Sequence, residues 1–192
     1  MIIRRLLPAD AEVFRRLRLR GLRESPASFG SSYREETKRP ASAFVTRLEL
    51  SMANWVFGAF EQDRLVGVVA LVREEQTKEH HKASVFGMYV DARMRRKGIG
   101  RALMTIVLQV ARELRGLRQV RLSVVESNRA ALRLYESLGF KVYGREEAAL
   151  LVSGRFFTEL LLVRRVFRRS PTRRQSQRPH RSRLVLSHEI SN

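Results

Sequence analysis

Arg95-Arg96-Lys97-Gly98-Ile99-Gly100-Arg101-Ala102 lies between a strand-like run ending at Val90 and the strongest amphipathic stretch of the chain. In that stretch, residues 98–115, the residues Ile99, Leu103, Ile106, Val107, Val110 and Leu114 recur at the spacing of one helical face. The octapeptide therefore opens a helix. A helix N-terminus carries unpaired N–H groups and the positive end of the macrodipole. Gly98 and Gly100 let backbone approach a ligand with no Cβ in the way, and Arg95, Arg96, Lys97 and Arg101 add fixed positive charge. These are the parts of a pyrophosphate site. An ordinary basic turn before a helix would look the same, and the pattern alone leaves both readings open. It is not a Walker loop, because no Lys-Ser or Lys-Thr follows the second glycine. It is not a dinucleotide fingerprint, because the third glycine is missing.

Working outward, residues 54–60, 64–73 and 82–90 read as strands, the first two joined by a hairpin-like turn at 61–64. Leu65, Val66, Val68, Val69, Leu71 and Val72 form a run apolar enough to be covered on both faces. Residues 120–125 read as a strand. The strand–helix–strand unit over 82–125 is expected to be a right-handed crossover joining parallel strands. Toward the N-terminus, a short strand at 2–7 precedes a helix opened by Pro8, Asp10 and Glu12 and closed by Gly21 and Pro26. Residues 27–40 read as a loop, and 40–51 as a further helix. Toward the C-terminus, 140–150 and 155–164 read as a hairpin turning at Ser153-Gly154.

Asn128-Arg129-Ala130-Ala131-Leu132-Arg133-Leu134-Tyr135-Glu136-Ser137-Leu138-Gly139-Phe140 follows Gly100 by twenty-eight residues. Asn128 can cap the helix it opens, and Gly139 suits its C-terminal exit. Tyr135 lies two turns along, on the face of Ala131 and Leu138; alone, it reads as a core aromatic.

The two segments together resemble the GNAT family of acetyl-CoA-dependent N-acetyltransferases. Arg95, Gly98 and Gly100 match its Q/R-x-x-G-x-G/A motif. Asn128, Ala131, Tyr135, Gly139 and Phe140 match N-x-x-A-x-x-x-Y-x-x-x-G-F. The strand order agrees from residue 2 to about 165. The resemblance implies a layered α/β fold: a central mixed, mostly antiparallel sheet of about six or seven strands with a parallel splayed pair, flanked by about four helices. It implies acetyl-CoA as co-substrate, its pantetheine arm against the backbone of Met88, Tyr89 and Val90. The pyrophosphate would lie on residues 96–101, with Ile99 and Ala102 in the same turn. It further implies that Asn128 and Ala131 hold the arm and that Tyr135 is the general acid protonating the departing thiolate. Other parts depart from the family pattern. The strand before the phosphate loop has no carboxylate. Relatives that acetylate ribosomal-protein N-termini carry a glutamate where this chain has Ser123. Glu126 is then the candidate base, with Glu35, Glu36 and His81 as alternatives. Phe29, Tyr33 and Glu35 are candidates for the acceptor side, with Trp55 as a further wall.

The chain has 192 residues, 44% of them hydrophobic, enough for one core. It has no cysteine, which excludes a disulfide framework, a thiolate zinc site and a cysteine nucleophile. His80, His81, His180 and His188 lack the spacing of a helical metal site, so no metal is expected. No apolar run reaches the roughly 18 residues that span a bilayer, and the N-terminus is too quickly charged for a signal peptide. A cytoplasmic protein without a membrane partner is expected, and a homodimer is compatible with these features. The formal net charge is +19. Residues 167–192 hold seven arginines against a single glutamate and little apolar periodicity. The expected division is an acetyltransferase domain over 1–166 and a basic, disordered tail over 167–192, open to weak non-specific nucleic-acid contact. Against acetyl transfer to an amine of a small molecule or peptide stand two rivals. One is a nucleic-acid-associated protein; the other is an acyl-CoA sensor on a degenerate domain.

Overall fold

The computed structural model describes residues 1–166, so the expected tail lies outside the described residues. The elements run β1 (Ile2–Arg5), α1 (Ala11–Glu24), α2 (Tyr33–Thr37), α3 (Ala41–Thr46), β2 (Asn54–Glu61), β3 (Arg64–Arg73) and β4 (Lys82–Val90). They continue with α4 (Ile99–Glu113), β5 (Gln119–Val125), α5 (Arg129–Ser137), β6 (Lys141–Val152) and β7 (Arg155–Arg165). The strands form one seven-stranded sheet in the order β1-β2-β3-β4-β5-β7-β6. Among the described residues only β4 and β5 pair in parallel. This is the mixed sheet the sequence predicts.

Strand alternation sorts side chains between two cores. Trp55, Phe57 and Ala59 of β2 join Val66, Val69 and Leu71 of β3 under Ile99, Leu103 and Val107 of α4. Val56, Phe60, Leu65 and Val68 turn the other way, onto Phe14, Leu17 and Leu22 of α1 and Phe44 of α3. Both faces of β2 and β3 are thus covered, which explains their almost unbroken apolar runs.

Two local findings differ from the sequence reading. Residues 33–37, inside the expected loop, form α2, because Ser32 and Glu35 cap each other's backbone N–H groups. The helix expected over 40–51 ends at Thr46. Beyond it Arg47 turns to Glu36, and its carbonyl accepts from the Asn54 side chain at 2.9 Å.

The feature that positions the site is in β4. Its pairing with β3 runs Ala70↔Phe86, then Val68↔Tyr89, leaving an extra residue on β4 at Gly87–Met88. Gly87 has φ +61°, in the left-handed region open to glycine. Such a bulge bends its strand. On the other edge, β4 and β5 pair only at Lys82↔Gln119, Ala83↔Val120 and Ser84↔Arg121. Past Ser84 the two strands part.

Candidate active site

The parting strands open into a cleft of about 1230 Å³. One wall is the free edge of β4 from Val85 to Val90. Another is β5 from Leu122 to Val125, with Glu159 of β7 beside it. The loop into α4 and one face of α5 close the same space.

The loop is held from behind. Asp91, almost fully buried, accepts from Arg20 at 2.6 Å and Arg64 at 2.5 Å and caps the turn at Ala92–Met94 through the Arg93 N–H. Arg95 folds back, its Nε donating to the Val90 carbonyl at 3.0 Å. Gly98 is the N-cap of α4 at φ +78°, and a Cβ built there would meet nothing within 4 Å. Ala102 is the first residue of α4 to bond back, to the Gly98 carbonyl at 3.0 Å. The amides of Ile99, Gly100 and Arg101 are therefore left for a ligand. Gly100 has a second reason to be glycine: a Cβ would stand 3.2 Å from Met88 Cε and 3.3 Å from Leu134 Cδ2. It lets α4 lie close to β4 and α5.

Asn128 caps α5, its Oδ1 accepting from the Ala131 N–H at 3.2 Å. Asn128 also lines the cleft. One turn beyond Ala131, Tyr135 is buried edge-on to Phe140, with 6.0 Å between ring centroids. Its hydroxyl bonds to no protein group among the described residues, and burial pushes its pKa up to about 12. It stays protonated at neutral pH.

Of the residues read from sequence, Met88, Tyr89, Val90, Arg95, Arg96, Gly98, Ile99, Gly100, Arg101, Asn128, Ala131, Tyr135 and Phe29 line this one cleft. The Tyr89 ring packs over Gly21 on the α1 side, and its hydroxyl donates to Glu24. Arg101 reaches across to Ser137 Oγ at 2.7 Å. Lys97 and Ala102 are not among the lining residues.

The structure does not bring Glu126, Tyr33 or Glu35 to the cleft lining. The Glu126 carboxylate pairs with Arg145, which holds its carboxyl below the ordinary carboxylate range and makes it a poorer base. Tyr33 Oη accepts from Arg23, and Glu35 is spent on capping its own helix. The alternatives fare no better: Glu36 is buried among arginines, and His81 is off the cleft.

Among the polar residues on the cleft that were not singled out from the sequence are Glu159, Arg18, Arg47 and Asn54. Glu159 stands in register with Val125 and is half-buried without an ion-pair partner among the described residues. One signal was available for it: a lone carboxylate in the otherwise apolar run Phe156 to Val163, broken elsewhere only by Thr158. Among the described residues no group of His, Cys, Asp and Glu converges as metal ligands. No described helix is long and apolar enough to cross a membrane.

The parallel strands of the sheet thus part beside a helix N-terminus, with Asn128 and Tyr135 on the facing helix. Residues 20–140 match the Acetyltransferase (GNAT) family, and the chain belongs to that family. It is 37% identical over 103 residues to N-acetyltransferase 8 of Homo sapiens, covering 53% of this chain and 45% of that protein. It is 32% identical over 142 residues to mycothiol acetyltransferase of Segniliparus rotundus, covering 73% of this chain and 51% of that one. The chain thus spans about half the length of these curated relatives. Among solved structures, yncA of Salmonella typhimurium, determined with its cofactor acetyl-CoA, superposes with a TM-score of 0.74 at 19% identity. That match covers 89% of this chain and 96% of that one.

Proposed function

We propose that this protein transfers the acetyl group of acetyl-CoA to the amine of a small molecule or peptide, by direct attack in a ternary complex. The observation that carries the reading is the convergence, on one cleft, of the free β4 edge, the unbonded amides of Ile99, Gly100 and Arg101, Asn128 and Tyr135. A cofactor with a pyrophosphate and an amide-bearing arm fits these parts. The open space over Gly98 admits the phosphates, and the unpaired strand edge offers hydrogen bonds to the arm.

In this reading the amine nitrogen attacks the thioester carbon and the C–N bond forms. The C–S bond then breaks, and its electron pair leaves on sulfur. The amine's proton must go out and a proton must reach sulfur. Glu159 is the favoured acceptor for the first, since Glu126 is engaged by Arg145. Tyr135 serves the second. Because its pKa is about 12, outright transfer to a thiolate with an ordinary thiol pKa of about 8.5 is uphill. Its first contribution is a hydrogen bond to sulfur as charge builds there, with proton transfer following.

The test is an acceptor screen over amines, amino acids, peptides and aminoglycosides, reading CoA release with acetyl-CoA present. Release that depends on one acceptor class, with acetylated product of equal amount, is expected. Tight acetyl-CoA binding with no acceptor-dependent release across the screen would instead favour a sensor.

A further inference from the structure

The cleft has a second lobe, on the α1 side of the sheet. Val56, Val68 and Ala70 form its floor and Phe29 one wall. Arg18 of α1 and Arg47 after α3 reach the same lobe. Both are bound to Glu36, whose side chain is 0% exposed. Glu36 accepts from Arg18 Nε at 2.7 Å and from Arg47 Nη1 and Nη2 at 2.8 and 2.9 Å. Arg39 Nε stands 3.2 Å from Glu36 Oε1, the oxygen that Arg47 Nη2 also reaches. One carboxylate among three guanidinium groups leaves a surplus of positive charge beside an apolar floor.

The donors of Arg18 are divided. Nε is taken by Glu36, and Nη2 donates to Ser31 Oγ at 3.2 Å. Nη1 donates to no group among the described residues. It lies beside the β4 bulge, where a Cβ added to Gly87 would stand 3.4 Å from it. The guanidinium is thus fixed at two nitrogens, with the third beside the bulge in the part of β4 that β5 leaves unpaired. A pre-fixed guanidinium offers its free donor to an anion with little further loss of side-chain freedom. Both terminal nitrogens of Arg47 are already on Glu36, so Arg47 adds charge more than a donor.

We infer that the acceptor is a small amine that also carries a carboxylate and an apolar side group. Arg18 Nη1 binds the carboxylate, and Val56, Val68 and Ala70 receive the apolar group. A phosphate, with three terminal oxygens, would need more donors than this single nitrogen supplies. The inference rests on the acetyl-CoA reading of the same cleft. Arg18 is here a specificity residue; it takes no part in the bond changes.

The test compares leucine, methionine and phenylalanine with their primary amides as acceptors, in the parent protein, Arg18→Gln and Arg18→Lys. The lysine variant keeps a positive charge for buried Glu36, in case the glutamine variant fails to fold. Acetyl-CoA affinity of each protein is measured by calorimetry. The loss of kcat/KM from parent to variant is read separately for acids and amides, so the different basicities of the two amine sets cancel. Loss of a hydrogen bond to a charged group predicts a fall of about tenfold or more for the acids. The amides should change little, and acetyl-CoA affinity should stay at the parent's value. Equal losses for acids and amides would make Arg18 a structural residue and overturn the inference. So would turnover of neither set by a parent that binds acetyl-CoA, and that outcome leaves the cofactor reading standing. A parent that binds no acetyl-CoA overturns the reading beneath it.

Discussion

The Tyr135 ring is buried against Phe140 while its hydroxyl has no partner among the described residues, so removing the oxygen orphans none of them. Tyr135→Phe should leave stability and acetyl-CoA affinity near the parent's. Positioned acid catalysis is typically worth about 10²–10⁴-fold, and turnover should fall by an amount in that range. Steady-state turnover within about threefold of the parent would remove Tyr135 from the mechanism. Glu159→Gln in the same assay should lose rate most at neutral pH and recover as rising pH frees the amine unaided; a profile parallel to the parent's would exclude Glu159 as the base. Tyr135 and Asn128 were legible through the resemblance of residues 128–140 to a family motif, and their seven-residue spacing puts both on one helix face. Glu159, Arg18 and Arg47 were not, because β7, α1 and the end of α3 meet only through the folded sheet. Glu126 follows β5 directly and looked close, but Arg145 of β6 draws its carboxylate aside.

Most elements could be read from period alone. The bounds of β2, β3, β4 and α4 fall within a residue or two of the spacing, because each carries an unbroken apolar pattern. The short elements escaped. The Ser32 to Glu35 capping box was the visible sign of α2, but one and a half turns have no periodicity to read. What holds α2 in place is Glu36, to which α1 sends Arg18 and the end of α3 sends Arg47. Burial alone would raise the Glu36 carboxyl, but hydrogen bonds from Arg47 and Arg18 outweigh it and bring the pKa to about 2, against an ordinary 4.5. The folded-state value is depressed, so its contribution to stability is fully present above about pH 4.5 and is lost as pH falls toward about 2. Thermal midpoints of the parent should therefore drop across that window, and Glu36→Gln, though less stable throughout, should show a shallower drop. An equally steep drop in the variant would show that other carboxylates carry the acid sensitivity.

At the scale of the molecule, the site exists because β4 and β5 pair for three registers and then part. The crossover through α4 was legible from sequence, and so was the parallel pair it joins. The bulge that bends β4 was marked only by a glycine inside a strand, at Gly87. Four elements, β4, β5, α4 and α5, then share one cleft, and a Cβ on Gly100 of α4 would meet side chains of both β4 and α5. Gly100→Glu introduces a side chain and a negative charge beside the amides expected to take the pyrophosphate. Met88 Cε and Leu134 Cδ2, the atoms it would press, are ends of flexible side chains that can move. Calorimetric titration with acetyl-CoA, run on the parent and on Gly100→Glu with folding checked by circular dichroism, is the most direct measurement of the central claim. Saturable one-to-one binding by the parent, lost in a variant that remains folded, is the predicted result. No binding by the parent, or unchanged affinity in the variant, would contradict the assignment of this cleft to acetyl-CoA.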